Sequence, residues 1–297
     1  ALIFADSLWG SAKGEKYNNY KDQAKYIMDD LWDKATFVVD GIRYLAGGNN
    51  IKSIEPGYLS PFSYRVFDDF DPDHDWYQLV DSSYKVFRES VKVKLNDVTD
   101  NAGVRHNNDP TGVRPAPNLL SDWVNVNLNS EFVDGDPRNE PEFGTDAFRG
   151  LWRIAVDYLW FNNPEAKDVL LASGKSSAVK FLKWKMNHPP EEFDGPDKSY
   201  DLNGKLSSLF WHDGKVALFE PNYEPAEKDP QKRLQMSTGY RANCAQYGIY
   251  LSYFYAAGEN DAAMKMLMPL INEDKDGFSH REYIIPEDQL AYETPGN

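Results

Sequence analysis

The sequence predicts an all-α chain forming one domain. Apolar residues recur on one side at helical spacing in stretch after stretch, as in Tyr20, Ala24, Ile27, Met28, Leu31 and Trp32. Strand-like pieces never alternate with helices in a regular way, which disfavours a parallel α/β sheet. No repeat of solenoid length stands out. With 297 residues and 41% hydrophobic content, the chain is long enough to bury a sizeable core.

In chain order, residues 1–9 read as the tail of a helix stopped by Gly10. The chain opens inside that helix without a cap, as though its beginning were missing. Residues 36–56 read as short extended pieces with a turn at Gly47-Gly48-Asn49-Asn50. The loop from Glu55 to Pro61 delivers the chain to a helix carrying Phe62, Val66, Phe67 and Phe70, with proline tolerated at its start. After an acidic turn, Asp68–Asp75, comes a helix with Trp76, Leu79, Val80, Ser83, Tyr84 and Phe87 on one face. The spacing of those acids matches no EF-hand loop, so a solvated turn is expected there. Residues 95–141 are rich in Asn, Asp, Gly and Pro and read as a functional loop region around an apolar island, Leu119 to Trp123. Further helices are expected over Ala147–Tyr158, Pro164–Trp184, Tyr240–Ala257 and Ala262–Ile271, with a hairpin from Leu209 to Phe219 around Asp213-Gly214. Trp9, Trp32 and Trp76 sit on apolar helix faces and read as core.

Charge and composition narrow the partners. A net charge of −15 argues against nucleic acid, whose phosphates would repel the chain. No apolar run reaches the roughly 18 residues of a membrane span. The single cysteine, Cys244, excludes a disulfide framework, and the five histidines show no close pairing. No cofactor or metal is therefore expected. Eight Trp and eighteen Tyr supply flat faces suited to sugar rings, although large aromatics also fill helical cores.

The central stretch, Glu142 to Asn163, puts Asp146 at the entry to a strongly apolar helix. A lone Asp there is ordinarily a cap for unpaired backbone N–H groups. Its company is less ordinary: Arg149 lies one turn on, and Phe143, Phe148 and Trp152 surround it. Glu142 competes for a catalytic role, but it precedes the Gly-Thr turn and is expected to face solvent. Asp157 reads as an ion-pair or buried hydrogen-bonding group one turn past Arg153. Asp122 beside Trp123 reads as a cleft residue or a cap. Trp123, Trp211 and Tyr58 lie in loops, where aromatics are more often functional.

Thr145-Asp146-Ala147-Phe148-Arg149, followed by Trp152-Arg153 and Asp157-Tyr158, resembles the Asp-Ala-x-Arg…Trp-Arg…Asp-Tyr motif of glycoside hydrolase family 8. Four other segments agree in order: Ala5-Asp6 with Trp9-Gly10, Pro56-Gly-Tyr-Leu-Ser-Pro61 with Tyr64-Arg-Val-Phe67, Leu120-Ser-Asp-Trp123, and the late helix Asn243–Glu259. The resemblance implies one catalytic domain over residues 1–297, the C-terminal three quarters of an (α/α)6 barrel that is incomplete at its N-terminus. The resemblance implies inverting endo-hydrolysis of β-1,4-linked glycans, with cellulose or mixed-linkage β-glucan expected first and xylan as the alternative. Asp146 would be the general base, and Arg149, Tyr58, Trp123 and Asp122 would bind substrate. It also implies a secreted or periplasmic bacterial protein acting on a polysaccharide.

The family's general acid, a Glu upstream of the Ala-Asp…Trp-Gly helix, has no counterpart after Ala1. Either the chain is a fragment, or a separate N-terminal polypeptide supplies that residue. A glycan-binding remnant without the acid is the competing reading. A helical-barrel lyase is disfavoured by the match at Asp146. Family endoglucanases usually carry Tyr where this chain has Thr145, which leaves room for a xylan-acting member.

Overall fold

The computed structural model describes residues 1–14, 19–48, 52–92, 98–99, 105–106, 119–135, 143–144, 146–171, 178–187 and 244–271. Among them the chain is mostly helical: α1 (Leu2–Trp9), α2 (Tyr20–Lys34), α3 (Pro61–Phe70), α4 (Tyr77–Ser90), α5 (Phe148–Phe161), α6 (Pro164–Leu170), α7 (Ala178–Asn187), α8 (Cys244–Ala256) and α9 (Asn260–Ile271). Glu142, Thr145, Trp211 and the hairpin expected between Leu209 and Phe219 lie outside the described residues.

Helix α5 is the hub. It packs against α3, α6, α8 and a 3-10 turn over Pro56–Tyr58. The spacing of Leu151, Ile154 and Ala155 explains this, because all three fall on one face and are buried. Gly150 permits the close approach of the 3-10 turn, since a Cβ there would come within 2.6 Å of Leu120 and 3.4 Å of the Pro56 carbonyl. Helix α5 ends on Asn162 in the left-handed region, and α6 restarts at once with Asn163 accepting from the Glu165 N–H. The stretch expected as one helix over Pro164–Trp184 contains α6 and α7, with six residues between them that are not described. Helix α8 carries Tyr247, Tyr250, Tyr253 and Phe254, all buried, against α5 and α9. Gly258 at φ 77° closes it, with the Glu259 N–H returning to the Phe254 carbonyl.

Among the described residues, three two-stranded antiparallel ribbons decorate the helices. The first, β1 (Thr36–Val39) with β2 (Ile42–Leu45), turns at Asp40-Gly41, where both residues have positive φ. That is the geometry of a type I′ hairpin, for which Asp-Gly is a strong sequence signal. Asn49 and Asn50 of the turn expected at Gly47–Asn50 lie outside the described residues; at its start the Gly47 N–H donates to the Ser53 carbonyl. The others are β3 (Val98–Thr99) with β4 (Arg105–His106), and β5 (Val124–Val126) with β6 (Phe132–Asp134).

Two expectations about burial change. Trp76 is fully buried and Trp32 partly so, but Trp9 is 75% exposed, and α1, which packs on α2, has no buried residue. The acidic turn is not merely solvated either. Asp71 is fully buried and accepts from His74 Nδ1 (2.7 Å), the indole of Trp76 (3.1 Å), Lys25 Nζ (3.1 Å) and the Asp73 N–H. Burial raises its proton affinity, yet those hydrogen bonds outweigh burial and hold the carboxyl at about 2.

Candidate active site

Three segments meet at the N-terminal end of α5. Ile54 and Val124 exchange two backbone hydrogen bonds, Ile54 N–H to Val124 (2.7 Å) and Val124 N–H to Ile54 (2.9 Å). This bridge fixes the segment 54–58 beside the segment 119–124. Asp122, two residues before the bridge, then reaches the third segment: its Oδ1 accepts from the backbone N–H of Gly144 (2.9 Å) and of Ala147 (2.7 Å). Asp122 is 4% exposed. It satisfies orphan amides at the start of α5 and pins the turn that carries Asp146. The cap position itself falls on Ala147, whose side chain can accept nothing.

Asp146 stands at this pinned turn, its side chain 22% exposed and one oxygen 3.4 Å from Arg149 Nη2. The other terminal nitrogen, Nη1, donates to Glu55 Oε1 at 3.1 Å. One guanidinium thus bridges two carboxylates, a use that suits its rigid fork of donors. The guanidinium carbon also lies 5.6 Å from the centre of the Tyr58 ring, which is 40% exposed. The backbone beneath is tight, because a Cβ on Gly57 would fall 1.8 Å from the Asp146 carbonyl oxygen.

Glu55 is the residue that sequence reasoning missed. It is 1% exposed, and burial, reinforced by the negative charge of Asp146, pushes its carboxyl up to about 7 despite the opposing Arg149, Tyr58 hydroxyl and Arg153. A buried carboxylate titrating near neutrality beside a second carboxylate is what acid–base sites are built from. The available signal was its place between Ile54 and the Pro-Gly-Tyr segment already singled out, but a lone loop Glu carries no periodicity that marks it as buried.

Of the residues expected at the site, Asp146, Arg149 and Tyr58 come together, with Asp122 directly behind them. Trp123 is half-buried, and its ring lies on Gly47, where a Cβ would be 2.3 Å from Cζ3. Of the aromatics expected around Asp146, Phe143 and Phe148 are buried, whereas Trp152 stacks edge-on with Phe62 on the outer side of α5. Asp157 is fully buried and does form an ion pair, with Arg65 of α3 (2.9 Å) in place of Arg153. Elsewhere, Asp29, Asp71 and His74 bring ligand atoms within 4.8 Å of one another, but Lys25 already supplies the positive charge there, 3.3 Å from Asp29 and 3.1 Å from Asp71.

Over part of its length the chain is similar to endoglucanases, and its fold is similar to that of xylose-releasing exo-oligoxylanases. Relatives agree over part of the chain. Endoglucanase A of Acetivibrio thermocellus is 30% identical over 174 residues, 56% of this chain and 29% of its own length. Endoglucanase C of Ruminiclostridium cellulolyticum is 29% identical over 172 residues, 56% of this chain and 30% of its own length. Among solved structures, a reducing-end-xylose releasing exo-oligoxylanase complexed with xylose superposes with a TM-score of 0.52 at 15% identity, over 90% of this chain and 55% of that one. A second structure of a reducing end xylose-releasing exo-oligoxylanase gives 0.51 at 16% identity, over 91% and 56%. The chain therefore spans a little under a third of the length of those sequence relatives and little more than half of the structural neighbours. No family model matches it. No described helix is long and apolar enough to cross a membrane.

Proposed function

We propose that the chain is the larger part of an (α/α)6-barrel domain that hydrolyses β-1,4-linked glycans with inversion, Asp146 acting as general base. The observation that carries this reading is the placement of Asp146, partly exposed at the pinned start of α5, held by Arg149 and flanked by the exposed ring of Tyr58. Inversion needs a carboxylate that takes a proton from water on one face of the sugar while a protonated acid serves the leaving oxygen on the other. Asp146 fits the first role: it is reachable from solvent, and its backbone is fixed by Asp122. Arg149 orients it, and Tyr58 lines the cleft and meets the sugar or the water. Glu55, 1% exposed, is too buried to reach a leaving group; by the family resemblance the general acid is a Glu supplied from elsewhere, in the same polypeptide or in a separate N-terminal one. Trp123 is the further sugar-contacting candidate. Asp122 acts on substrate only through the loop it holds.

Endoglucanases among the sequence relatives favour cellulose or mixed-linkage β-glucan as substrate. The xylose-releasing structural neighbours keep xylan as the second reading. Action on such polymers suits a secreted or periplasmic bacterial protein. The test is hydrolysis of cellulose, mixed-linkage glucan and xylan by the full-length protein, with the anomer of the first product followed by NMR. We expect inverted product, and loss of about 10²-fold or more in kcat for Asp146→Asn with the fold intact. Retained configuration, or near-normal turnover by the variant, overturns the assignment.

A further inference from the structure

We propose that Glu55 is a positioning residue of the base: through the Arg149 guanidinium that it shares with Asp146, it decides how much of that positive charge rests on Asp146. The inference depends on Asp146 being the base and adds to that reading a pH control built into the site. Its geometric ground is the bridge itself, Glu55 Oε1 to Nη1 at 3.1 Å and Asp146 Oδ1 to Nη2 at 3.4 Å, with Glu55 1% exposed and so unable to exchange its partners for water.

The groups facing Glu55 are Asp146, Arg149 and Arg153 from the α5 segment and Tyr58 from the 3-10 turn, while Tyr64 of α3 stands by Arg153. Two negative charges share one close guanidinium. When Glu55 is ionised, Arg149 is divided between the carboxylates, and the second negative charge strengthens the hold of Asp146 on a proton. When Glu55 is protonated, Arg149 turns its full charge to Asp146 and weakens it as a base. Both effects act in one direction. Burial, then the charge of Asp146, places the changeover at about 7, where a small change in pH moves the site from one state to the other.

The test joins a titration that needs no turnover to a pH–rate profile. In the full-length protein labelled with 13C at the Glu side-chain carboxyls, the Glu55 resonance is identified by its loss in Glu55→Gln. We expect it to titrate at about 7 in the wild type and to move downward in Asp146→Asn. On a soluble cello-oligosaccharide, kcat/KM should rise with pH through that same point. Glu55→Gln should lack this limb, with kcat roughly threefold to tenfold lower at pH 8 and KM little changed. A purely structural Glu55 would leave the limb in place. An unmoved titration in Asp146→Asn, or a limb that survives in Glu55→Gln, overturns the proposal. If Glu55→Gln does not fold, the resonance is assigned by selective labelling and the Asp146→Asn titration decides alone. If the wild type cleaves none of the glycans while the titration shifts, the hydrolase reading fails and the shared-guanidinium coupling stands.

Discussion

At Asp157 a full negative charge is buried, and its partners come from three directions. Arg65 donates through Nε at 2.9 Å, Asn163 through Nδ2 at 2.8 Å, and the Tyr84 hydroxyl closes the set. A charge so placed is tolerable only while it is paired. Arg65→Met should therefore cost roughly 3–5 kcal/mol in urea unfolding, because it strands the carboxylate. Tyr84→Phe removes one of several donors and should cost about 1–3 kcal/mol. A loss below 1 kcal/mol for Arg65→Met would show that water reaches Asp157. Helix spacing alone identified Asp157 as a paired residue but put Arg153 opposite it. Two residues four apart on one helix can be matched from sequence, whereas Arg65 arrives from α3, 92 positions away. Glu55 escaped for the same reason: its burial and its Arg149 contact arise from three chain segments meeting, which no local pattern records.

Among the elements, the 3-10 turn over Pro56–Tyr58 has little freedom, because its backbone lies directly on that of Asp146. Gly57 is required by this approach and not by its own dihedral angles; a Cβ there meets backbone atoms of Asp146 at 1.8 and 2.8 Å. Gly57→Ala must push the Asp146 turn aside. We expect about 1–3 kcal/mol of lost stability from overpacking and a fall in kcat/KM larger than that loss explains, read by urea unfolding and initial rates. Normal kinetics in that variant would mean that Asp146 need not be held as closely as the structure holds it. The helices were legible because amphipathic spacing reports a buried face wherever the neighbour lies. The ribbons were less so: strands of two to four residues offer too few alternations to be read from spacing, although Asp40-Gly41 was a turn signal for the first of them. Trp9 shows the limit of the same method, since apolar spacing on α1 says that a face is available for burial and not that it is buried.

Among the described residues, two buried carboxyls are displaced in opposite senses, and together they shape how stability responds to pH. Asp71 is held at about 2, below its ordinary 3.8, so it stabilises the fold above its ordinary value, and that contribution is lost as pH falls through about 4 towards 2. Glu55 is pushed from 4.5 up to about 7, so the folded state binds its proton more tightly than the unfolded chain does. Its contribution is complete below 4.5 and is lost as pH rises through 7. The contributions of these two groups are jointly largest near pH 4 to 5, below neutrality, and the net charge of −15 adds self-repulsion on the alkaline side. Urea midpoints measured from pH 2 to 8 should therefore fall away on both sides of that range. Asp71→Asn should flatten the acidic arm, and Glu55→Gln the arm between 5 and 8, each leaving the other arm in place because the two groups lie in separate clusters. Salt should soften the general alkaline decline by screening surface charge, but not the part that Glu55→Gln removes, since that charge is buried. Parallel wild-type and Glu55→Gln curves between pH 5 and 8 would contradict the burial of Glu55 as an ionising group. On the proposed coupling, the ionised state of Glu55, in which Asp146 would be the stronger base, is also the state that the fold tolerates less well. A site whose reactive form costs stability is the usual compromise between activity and stability, and here the two would be linked through one guanidinium.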